Sequence, residues 1–324
     1  MAYCCHVYLC STQLFCQYDS VPQDIKWYSN WNMEEMTKNN PKILGLVTLY
    51  NPDIPDATNN IMRYLPYLDL LIIWDNSPLE VNLKQKVLES LTQEADKIIW
   101  HGDGKNYCIA PAINYAWHYA QENDFDLILL MDQDSQWEDF HSYITEVAER
   151  FQISQGNVFC PYIPSDDTFV ISEEAQEKST FINSGTVIPT SILNRIGGAD
   201  EAFPLDALDH DLAIRIQKAG YKIVSLTKHI LHHTVGNIQM MGPFHIYTHN
   251  YSPKRLYSIS RSHIIKYRKH KDWLTSSEIK VTFKELYFKP FLRILLAEPQ
   301  KAYRLKMFFK GIYDGITFPI NKKK

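Results

Sequence analysis

The sequence has no apolar run long enough to cross a bilayer, although 45% of its residues are hydrophobic. A transmembrane helix needs about 18 to 20 consecutive apolar residues, and the chain never approaches that length. The sequence therefore predicts no spanning segment and leaves peripheral attachment to a membrane open. Its 324 residues are enough for one large α/β domain with appendages or for two small domains.

The cysteines are too few and too unevenly spaced for a disulfide framework in a chain of this length. They are Cys4, Cys5, Cys10, Cys16, Cys108 and Cys160. The first four lack the CxxC spacing and paired histidines of a zinc site, so a metal site there is the weaker alternative. The N-terminus also lacks the basic start and small-residue cleavage site of a signal peptide. We therefore interpret residues 1–40 as a weakly ordered extension, with Met33 or Met36 as the natural beginning.

Acidic residues are scarce in the last part of the chain. From Tyr251 to Lys324 there are 18 Lys and Arg against 5 Asp and Glu, a net charge of +13. The preceding residues hold 15 basic and 32 acidic side chains, a net charge of −17. The C-terminal region is thus a separate electrostatic unit, suited to an anionic membrane surface or an anionic substrate.

From Pro41 onward the sequence alternates short apolar runs with segments of helical spacing. The predicted strands are Lys42–Leu49, Leu70–Trp74, Lys97–Trp100, Asp126–Met131, Phe181–Ile188 and Tyr221–Leu226. The predicted helices are Asp56–Leu68, Val81–Leu91, Ala110–Gln121, Ala207–Ala219 and several more from Ser252 onward. This alternation predicts a doubly wound α/β sheet with right-handed crossovers, followed by a helical C-terminal region.

Polar clusters follow three of the predicted strands. They are Tyr50-Asn51-Pro52, Asp75-Asn76-Ser77 and Asp132-Gln133-Asp134. Any one of them has a simple alternative explanation, because Asp and Asn favour turns. Ligands of open parallel sheets bind beyond the carboxyl ends of the strands, so three clusters at one edge predict a cleft of nucleotide size.

Asp132 and Asp134 repel each other unless a cation lies near them. Mg²⁺ or Mn²⁺ bound to a diphosphate supplies that charge, because these hard ions take carboxylate and phosphate oxygens. A solvated turn is the alternative explanation of the pair. Their position directly after a buried strand favours the metal site.

Two further segments carry groups suited to chemistry. Asp206, Asp209 and Asp211 open a predicted helix with more negative charge than the helix dipole needs, and one of them could act as a general base. His232 and His233 follow an apolar strand and point to opposite faces of it, so at most one would reach a metal. A structural role is the alternative for each histidine.

Taken in order, several motifs resemble family-2 glycosyltransferases of the GT-A fold, in particular the bacterial rhamnosyltransferase-like branch. The motifs are VTLYNP (47–52), IIWDNSP (72–78), GKNYCIAPAIN (104–114), LLMDQDS (129–135), FINSGTVI (181–188), IGGADEAFPLDALDHDLAIRIQKAGY (196–221), HTVG (233–236), RLYSISRS (255–262) and KGIYDGI (310–316). The resemblance covers about residues 42–318. It implies a GT-A (Rossmann-like) catalytic domain with a mixed sheet over residues 41–250 and a basic, aromatic helical extension over residues 251–324.

The resemblance also implies roles for individual residues. A divalent metal, Mn²⁺ or Mg²⁺, is expected on Asp132, Asp134 and His233, and Asp209 is the expected catalytic base. Donor contacts are expected from Tyr50, Asn51, Asp75, Asn76, Asn106, Asn114, Asp132 and Gln133. Acceptor contacts are expected from Asn183, Ser184, Asp206, Asp211, Arg215, Arg255 and Arg261, with a scaffold role left open for Asp211.

Four residues depart from the family pattern. Leu208 stands in place of a usual Glu, Pro204 in place of Phe, Cys108 in place of Gly, and Ser262 in place of Asn. These departures concern the identity of the donor more than the chemistry.

The expected function is inverting, metal-dependent transfer of a sugar, L-rhamnose from dTDP-β-L-rhamnose, onto a hydroxyl of a growing cell-surface polysaccharide. The expected partners are a nucleoside diphosphate sugar and a glycan or lipid-linked oligosaccharide, with no nucleic acid. The expected location is the cytoplasm, with attachment to the inner face of a bacterial membrane and self-association both left open. A nucleotidyltransferase of similar fold and a non-catalytic glycan- or nucleotide-binding module are the alternatives.

Overall fold

The computed structural model describes residues 40–79, 82–164, 175–233 and 238–320. The predicted N-terminal extension, apart from Asn40, lies outside the described residues, as do Thr234, Val235 and Gly236 of the HTVG motif. The residues from Pro41 onward cluster into one compact unit.

The elements alternate between strands and helices over the first part of this unit. The strands are β1 (Ile43–Leu49), β2 (Leu70–Asp75), β3 (Ile98–His101), β4 (Leu127–Asp132), β5 (Gln136–Trp137), β6 (Asn157–Tyr162), β7 (Ala175–Lys178), β8 (Val187–Pro189), β9 (Lys222–His232), β10 (Gln239–Met241) and β11 (Ile246–Thr248). The helices are α1 (Ile54–Tyr64), α2 (Leu83–Ser90), α3 (Ala110–Glu122), α4 (Phe140–Ile153), α5 (Thr190–Ile196), α6 (Leu208–Lys218), α7 (Pro253–His270), α8 (Ser276–Phe283), α9 (Lys289–Leu296) and α10 (Lys301–Thr317).

Nine strands of the described residues form one mixed sheet in the order β3-β2-β1-β4-β8-β6-β9-β5, with β7 paired to β9. The first four strands in this order are parallel, and β8 runs antiparallel to both β4 and β6. Strands β10 and β11 form a separate antiparallel hairpin. The α/β fold class with a mixed sheet and a helical C-terminal region is confirmed.

Helices cover both faces of the sheet because its central strands are apolar on both sides. Val47 and Ile73 pack with α1, α2 and α4 on one face. Leu46 and Ile72 pack with α3, α5 and α6 on the other. This double layer fixes the carboxyl ends of β1, β2 and β4, where the polar clusters of the sequence lie.

One predicted strand begins later than expected. The strand predicted over Phe181–Ile188 starts only at Val187, because a turn occupies residues 183–185. Gly185 has a φ of +79°, and a Cβ there would lie 2.6 Å from Pro161 and 2.8 Å from Leu231. Only glycine combines that backbone conformation with so close an approach.

The C-terminal helices have an apolar core of their own. Leu256, Tyr287, Ile294 and Phe308 form its buried centre. Helix α7 packs along α10 and also contacts α6, which joins this helical layer to the sheet-bearing part. None of the helices in the described ranges combines the length and apolarity that crossing a membrane requires.

Candidate active site

Parallel pairing brings the polar ends of three strands to one edge of the sheet. Leu49 of β1 pairs with Asp75 of β2, and Thr48 pairs with Asp132 of β4. The Gln133 side chain accepts a hydrogen bond from the backbone N–H of Tyr50 at 2.7 Å. The predicted cleft residues of β1, β2 and β4 therefore lie side by side.

A group of three potential metal ligands lies at the end of β4. One ligand atom each from Asp132, Asp134 and His233 falls within 4.8 Å of the other two. Nδ1 of His233 lies 3.7 Å from Oδ1 of Asp134. Two carboxylates and an imidazole are a donor set suited to Mn²⁺ and related divalent ions.

His233 is held in place by a chain of serine hydroxyls. Its Nδ1 lies 2.8 Å from Ser135 Oγ, which accepts a hydrogen bond from Ser184 Oγ at 2.7 Å. The Ser184 hydroxyl in turn accepts a bond from the backbone N–H of Asp132 at 3.2 Å. The serine contacts therefore orient the imidazole beside the two aspartates.

The electrostatics of Asp132 favour a bound cation. The pKa of Asp132 is raised to about 6, chiefly by burial and also by the charges of Asp134 and Asp209, whereas the nearby His233 opposes the rise. A carboxyl group with its pKa raised in this way gains more from a divalent ion than a solvated one does. The residues present thus fit the expected metal.

The neighbouring histidine takes a different partner. His232 Nε2 lies 2.7 Å from Oε1 of Glu138, on the rim of the paired strands β5 and β9. The adjacent histidines therefore diverge as their alternation along a strand predicts. His233, and not His232, stands beside the two aspartates.

Asp209 lies in the first turn of α6. It is partly buried, and its Oδ1 accepts a hydrogen bond from the backbone N–H of His210 at 2.8 Å. Its charge acts on the pKa of Asp132, so the two carboxylates are within electrostatic reach of each other. The role of Asp209 as a base remains a prediction.

Asp211 lies two residues after Asp209 on α6. It is 0% exposed and receives hydrogen bonds from Arg215, Lys269 and His270 at 2.7, 2.7 and 2.8 Å. Burial alone would raise the pKa of Asp211, but the His270 hydrogen bond and the Arg215 and Lys269 charges hold it well below its usual value. Arg215 also donates to the carbonyls of Ile196 and Gly198. These contacts are structural, and acceptor contact remains a prediction for both Asp211 and Arg215.

Three predicted donor residues hold the loops around the cleft. Asn76 accepts from the Tyr107 backbone N–H at 2.9 Å and donates to the Cys108 carbonyl at 3.1 Å. Asn106 accepts from the Cys108 N–H at 2.8 Å. Asn114 both donates to and accepts from the backbone of Ala199. These side chains shape the loops, and donor contact remains a prediction for each.

Glycine is usual at the position of Cys108 in the family that the sequence resembles, and the backbone conformation there gives the reason. Its φ is +64°, in the left-handed region where a side chain is strained. Asn51, after β1, is also left-handed with a φ of +44°, and its N–H donates to Ser77 Oγ at 2.9 Å. Asp75 accepts from the Ser77 N–H at 2.8 Å. The segments after β1 and β2, where donor contacts are predicted, are therefore tight, internally bonded turns.

The predicted acceptor residues fall into separate groups. Asp206 pairs with Arg255 at 3.0 Å, whereas Arg261 donates to the Ala202 carbonyl at 2.9 Å and stacks over Phe318. Ser184 is fully buried beneath the metal ligands. Asn183 Oδ1 is buried with no hydrogen-bond partner in the described part of the chain.

Sequence reasoning missed several residues of this region. Ser135 directly follows the DQD motif, and its place there is the only signal that could have marked it. Lys266, His210 and His263 gather beside Asp209, and no sequence pattern marks them. A lysine in a basic helix is ordinarily on the surface, yet Lys266 is only 6% exposed.

No family model matches the sequence, and no curated protein matches it. Solved structures resemble it in fold. GalNAc-T7 with UDP, GalNAc and Mn²⁺ superposes with a TM-score of 0.56 at 12% identity, over 86% of this chain and 57% of that one. The mannosyltransferase PcManGT from Pyrobaculum calidifontis, with GDP-Man and Mn²⁺, gives 0.54 at 12% identity over 88% and 77%. S. aureus TarS 1–349 with UDP-GlcNAc gives 0.54 at 15% identity over 85% and 80%.

At such low identity the likeness concerns the fold. The described sheet and helices have the architecture of GT-A glycosyltransferases. The chain spans little more than half the length of the GalNAc-T7 chain.

Proposed function

We propose that the protein is a metal-dependent glycosyltransferase that uses a nucleoside diphosphate sugar. The observation that carries this proposal is the grouping of Asp132, Asp134 and His233 at the end of a central strand. Solved proteins of the same fold carry UDP, GDP-Man or UDP-GlcNAc, two of them with Mn²⁺. A metal of this kind, when bound, would neutralise the diphosphate that leaves the donor.

The proposed reaction inverts the anomeric centre. Asp209 accepts the proton of an acceptor hydroxyl, and the hydroxyl oxygen forms a bond to the anomeric carbon as the bond from that carbon to the diphosphate breaks. Attack on the face opposite the leaving group gives inversion through an oxocarbenium-like transition state. In this reaction Asp132 and Asp134 would hold the metal beside the leaving diphosphate, and Asp209 accepts the proton.

The proposed donor sugar rests on the sequence motifs. The ordered motifs resemble the rhamnosyltransferase-like branch, so we propose dTDP-β-L-rhamnose as donor and a cell-surface polysaccharide, or its lipid-linked precursor, as acceptor. The donors of the solved proteins of similar fold differ from one another. The donor therefore has to be identified by direct screening.

The test screens nucleotide sugars with Mn²⁺ and follows slow hydrolysis to the free nucleoside diphosphate. The Asp209→Asn variant should keep the thermal shift caused by donor and metal, because Asp209 does not hold the diphosphate. Its turnover should fall by roughly 10²–10⁴-fold, the usual contribution of a general base. Near-normal turnover would rule out Asp209 as the base.

The products separate this proposal from its alternatives. Release of pyrophosphate would indicate a nucleotidyltransferase, and binding with no turnover of any nucleotide sugar would indicate a non-catalytic module. Stabilisation by a ligand measures its affinity for the folded state, so the same thermal screen reports binding in all three cases.

We further propose that the C-terminal helices attach the protein to the anionic inner face of a membrane. Exposed apolar side chains stand on this region among its many basic residues. Basic amphipathic surfaces bind anionic lipid in this way.

A further inference from the structure

Three nitrogen-bearing side chains gather beside Asp209. Lys266 and His263 lie on α7, and His210 follows Asp209 on α6. Lys266 is 6% exposed and His263 is 8% exposed. The rings of His210 and His263 are 5.9 Å apart, edge to face. The cluster is therefore compact and largely buried.

The Lys266 side chain makes no hydrogen bond or ion pair with another residue in the described part of the chain. Nδ1 of His263 is likewise buried with no partner there. Lys269, one turn further along the same helix, contacts Asp200 at 2.5 Å and Asp211 at 2.7 Å. Proteins pair their buried charges. Lys269 contacts its acids directly, whereas Asp209 and Glu278 act on Lys266 without a hydrogen bond or ion pair to it.

The charged groups around Lys266 come from three helices. Asp209 and His210 face it from α6, Glu278 from α8, and His263 from α7 itself. Burial lowers the pKa of Lys266, and the charges of Asp209 and Glu278 oppose that fall. Glu278 is committed to the start of α8, where its side chain accepts from the N–H and hydroxyl of Thr275 at 2.7 and 2.6 Å.

The cluster lies away from the expected diphosphate. Asp209 acts electrostatically on both Asp132 and Lys266, whereas Lys266, His263 and His210 are not among the charges that shift the pKa of Asp132. The exposed Thr180 hydroxyl lies 3.4 Å from Nδ1 of His210, which places the rim of the cluster at the surface. An anion at Lys266 would therefore come from the substrate on the Asp209 side.

We propose that Lys266, His263 and His210 bind an anionic group, a carboxylate or a phosphate, carried by the acceptor near the hydroxyl that Asp209 deprotonates. The anion supplies the direct partner that the ammonium of the largely buried Lys266 side chain lacks, and the two imidazoles offer N–H donors to its remaining oxygens. Assigning the anion to the acceptor rests on the proposed function. The anion site itself rests only on the packing of α6, α7 and α8.

The first experiment measures stabilisation by inorganic phosphate in EDTA, which keeps the metal ligands out of the result. The wild-type protein should melt at a higher temperature as phosphate is added. Lys266→Met should weaken phosphate binding at least about tenfold, the contribution of a hydrogen bond to a charged group. Lys271→Met removes the same charge from an exposed position just beyond α7 and should leave the phosphate effect unchanged.

The melting temperature without phosphate separates a binding role from a structural one. Lys266 places its charge on a largely buried side chain without a direct partner, which does not stabilise the fold, so Lys266→Met should melt no lower than the wild type. The proposal is overturned if phosphate does not stabilise the wild type, if Lys266→Met keeps the full phosphate effect, or if this variant melts well below Lys271→Met in phosphate-free buffer.

A second experiment identifies the kind of anion. Glucuronate is compared with glucose, and glycerol 1-phosphate with glycerol. Stabilisation by one anionic compound but not by its neutral analogue identifies a carboxylate or a phosphate, and equal effects of both members in each pair would refute the anion site. Asp209→Asn should keep the anion effect, so loss of turnover with retained anion binding bears on the base assignment alone.

Discussion

The negative charge of Asp132 is unfavourable in the folded protein when no cation is bound. Its pKa is raised from 3.8 to about 6, chiefly by burial. A carboxyl group with a raised pKa in the folded state favours folding when protonated, and that stability is lost as the pH rises from about 4 through about 6. In EDTA, Asp132→Asn should therefore melt a few degrees above the wild type at pH 8 and gain less at pH 5.

With Mn²⁺ present, the wild type should melt above Asp132→Asn, the reverse of the order expected in EDTA. Mn²⁺ should stabilise the wild type at pH 8 and have little effect on Asp132→Asn, because the variant loses a ligand. Asp134→Asn is the matched control, since its side chain is 53% exposed. It should lose the metal effect without gaining stability in EDTA. Equal melting of Asp132→Asn and the wild type at both pH values would contradict the burial argument.

Residues differ in how far the sequence could identify them. Asp132 and Asp134 could be predicted because a strand signal and a charge conflict coincide within a few residues. His233 needed the order of the motifs, since either of two adjacent histidines could have faced the aspartates. Ser135 and Lys266 could not be found, because their surroundings depend on the turn before β8 and on helices α6 and α8, which no local pattern records.

At the scale of elements, the contact of α7 with α10 depends on glycine. Gly311 of α10 faces the backbone of α7, where an added Cβ would collide with Ser260 and lie 2.5 Å from the Tyr257 carbonyl oxygen. Gly311→Ala should lower the free energy of unfolding by about 1–3 kcal/mol, the usual effect of overpacking. Urea unfolding measures this change.

Gly156 is the control for that substitution. A Cβ there would meet only Tyr221 and Ser154, at 3.8 and 3.9 Å, and its φ is not positive. Gly156→Ala should be neutral or slightly stabilising, because alanine restricts the unfolded chain. If the two variants were equally stable, the close approach of α7 and α10 would not be a requirement of the fold.

The sequence predicts best the helices and strands that have a clear apolar pattern. The buried parallel strands β1, β2 and β4 have continuous apolar runs, and the sequence predicts them within a residue or two. The short strands β5, β7, β10 and β11 have no such pattern and form only by pairing with neighbours or with each other. The late start of β8 depends on how tightly Gly185 packs against its neighbours, which one segment cannot reveal.

At the scale of the whole molecule, charge and exposed apolar surface coincide. The region from Tyr251 carries +13 against −17 for the rest of the chain. Phe288, immediately before α9, and Leu295, near its end, are seven residues apart and 53% and 37% exposed. Phe291 packs edge to face on Phe309 of α10, which is itself 51% exposed. This apolar surface among lysines is the part of the molecule suited to anionic lipid.

Membrane attachment is best tested with point substitutions on this surface. Deleting residues 276–324 would remove Tyr287, Ile294 and Phe308 from the core around Leu256, so loss of binding could reflect misfolding. Phe288→Glu with Leu295→Glu changes exposed side chains and should weaken binding to phosphatidylglycerol-containing vesicles by at least about tenfold, because it removes buried apolar area and adds negative charge.

The control introduces a glutamate at an exposed apolar position outside the C-terminal helices. Ile153, at the end of α4, is 83% exposed, and Ile153→Glu should leave vesicle binding unchanged. Binding of the wild type should also weaken at high salt and on neutral phosphatidylcholine vesicles, since the basic side chains act through a screened surface potential. Co-sedimentation measures all of these cases. Equal binding by the α9 double variant and the Ile153 variant would show that the C-terminal helices do not face the membrane.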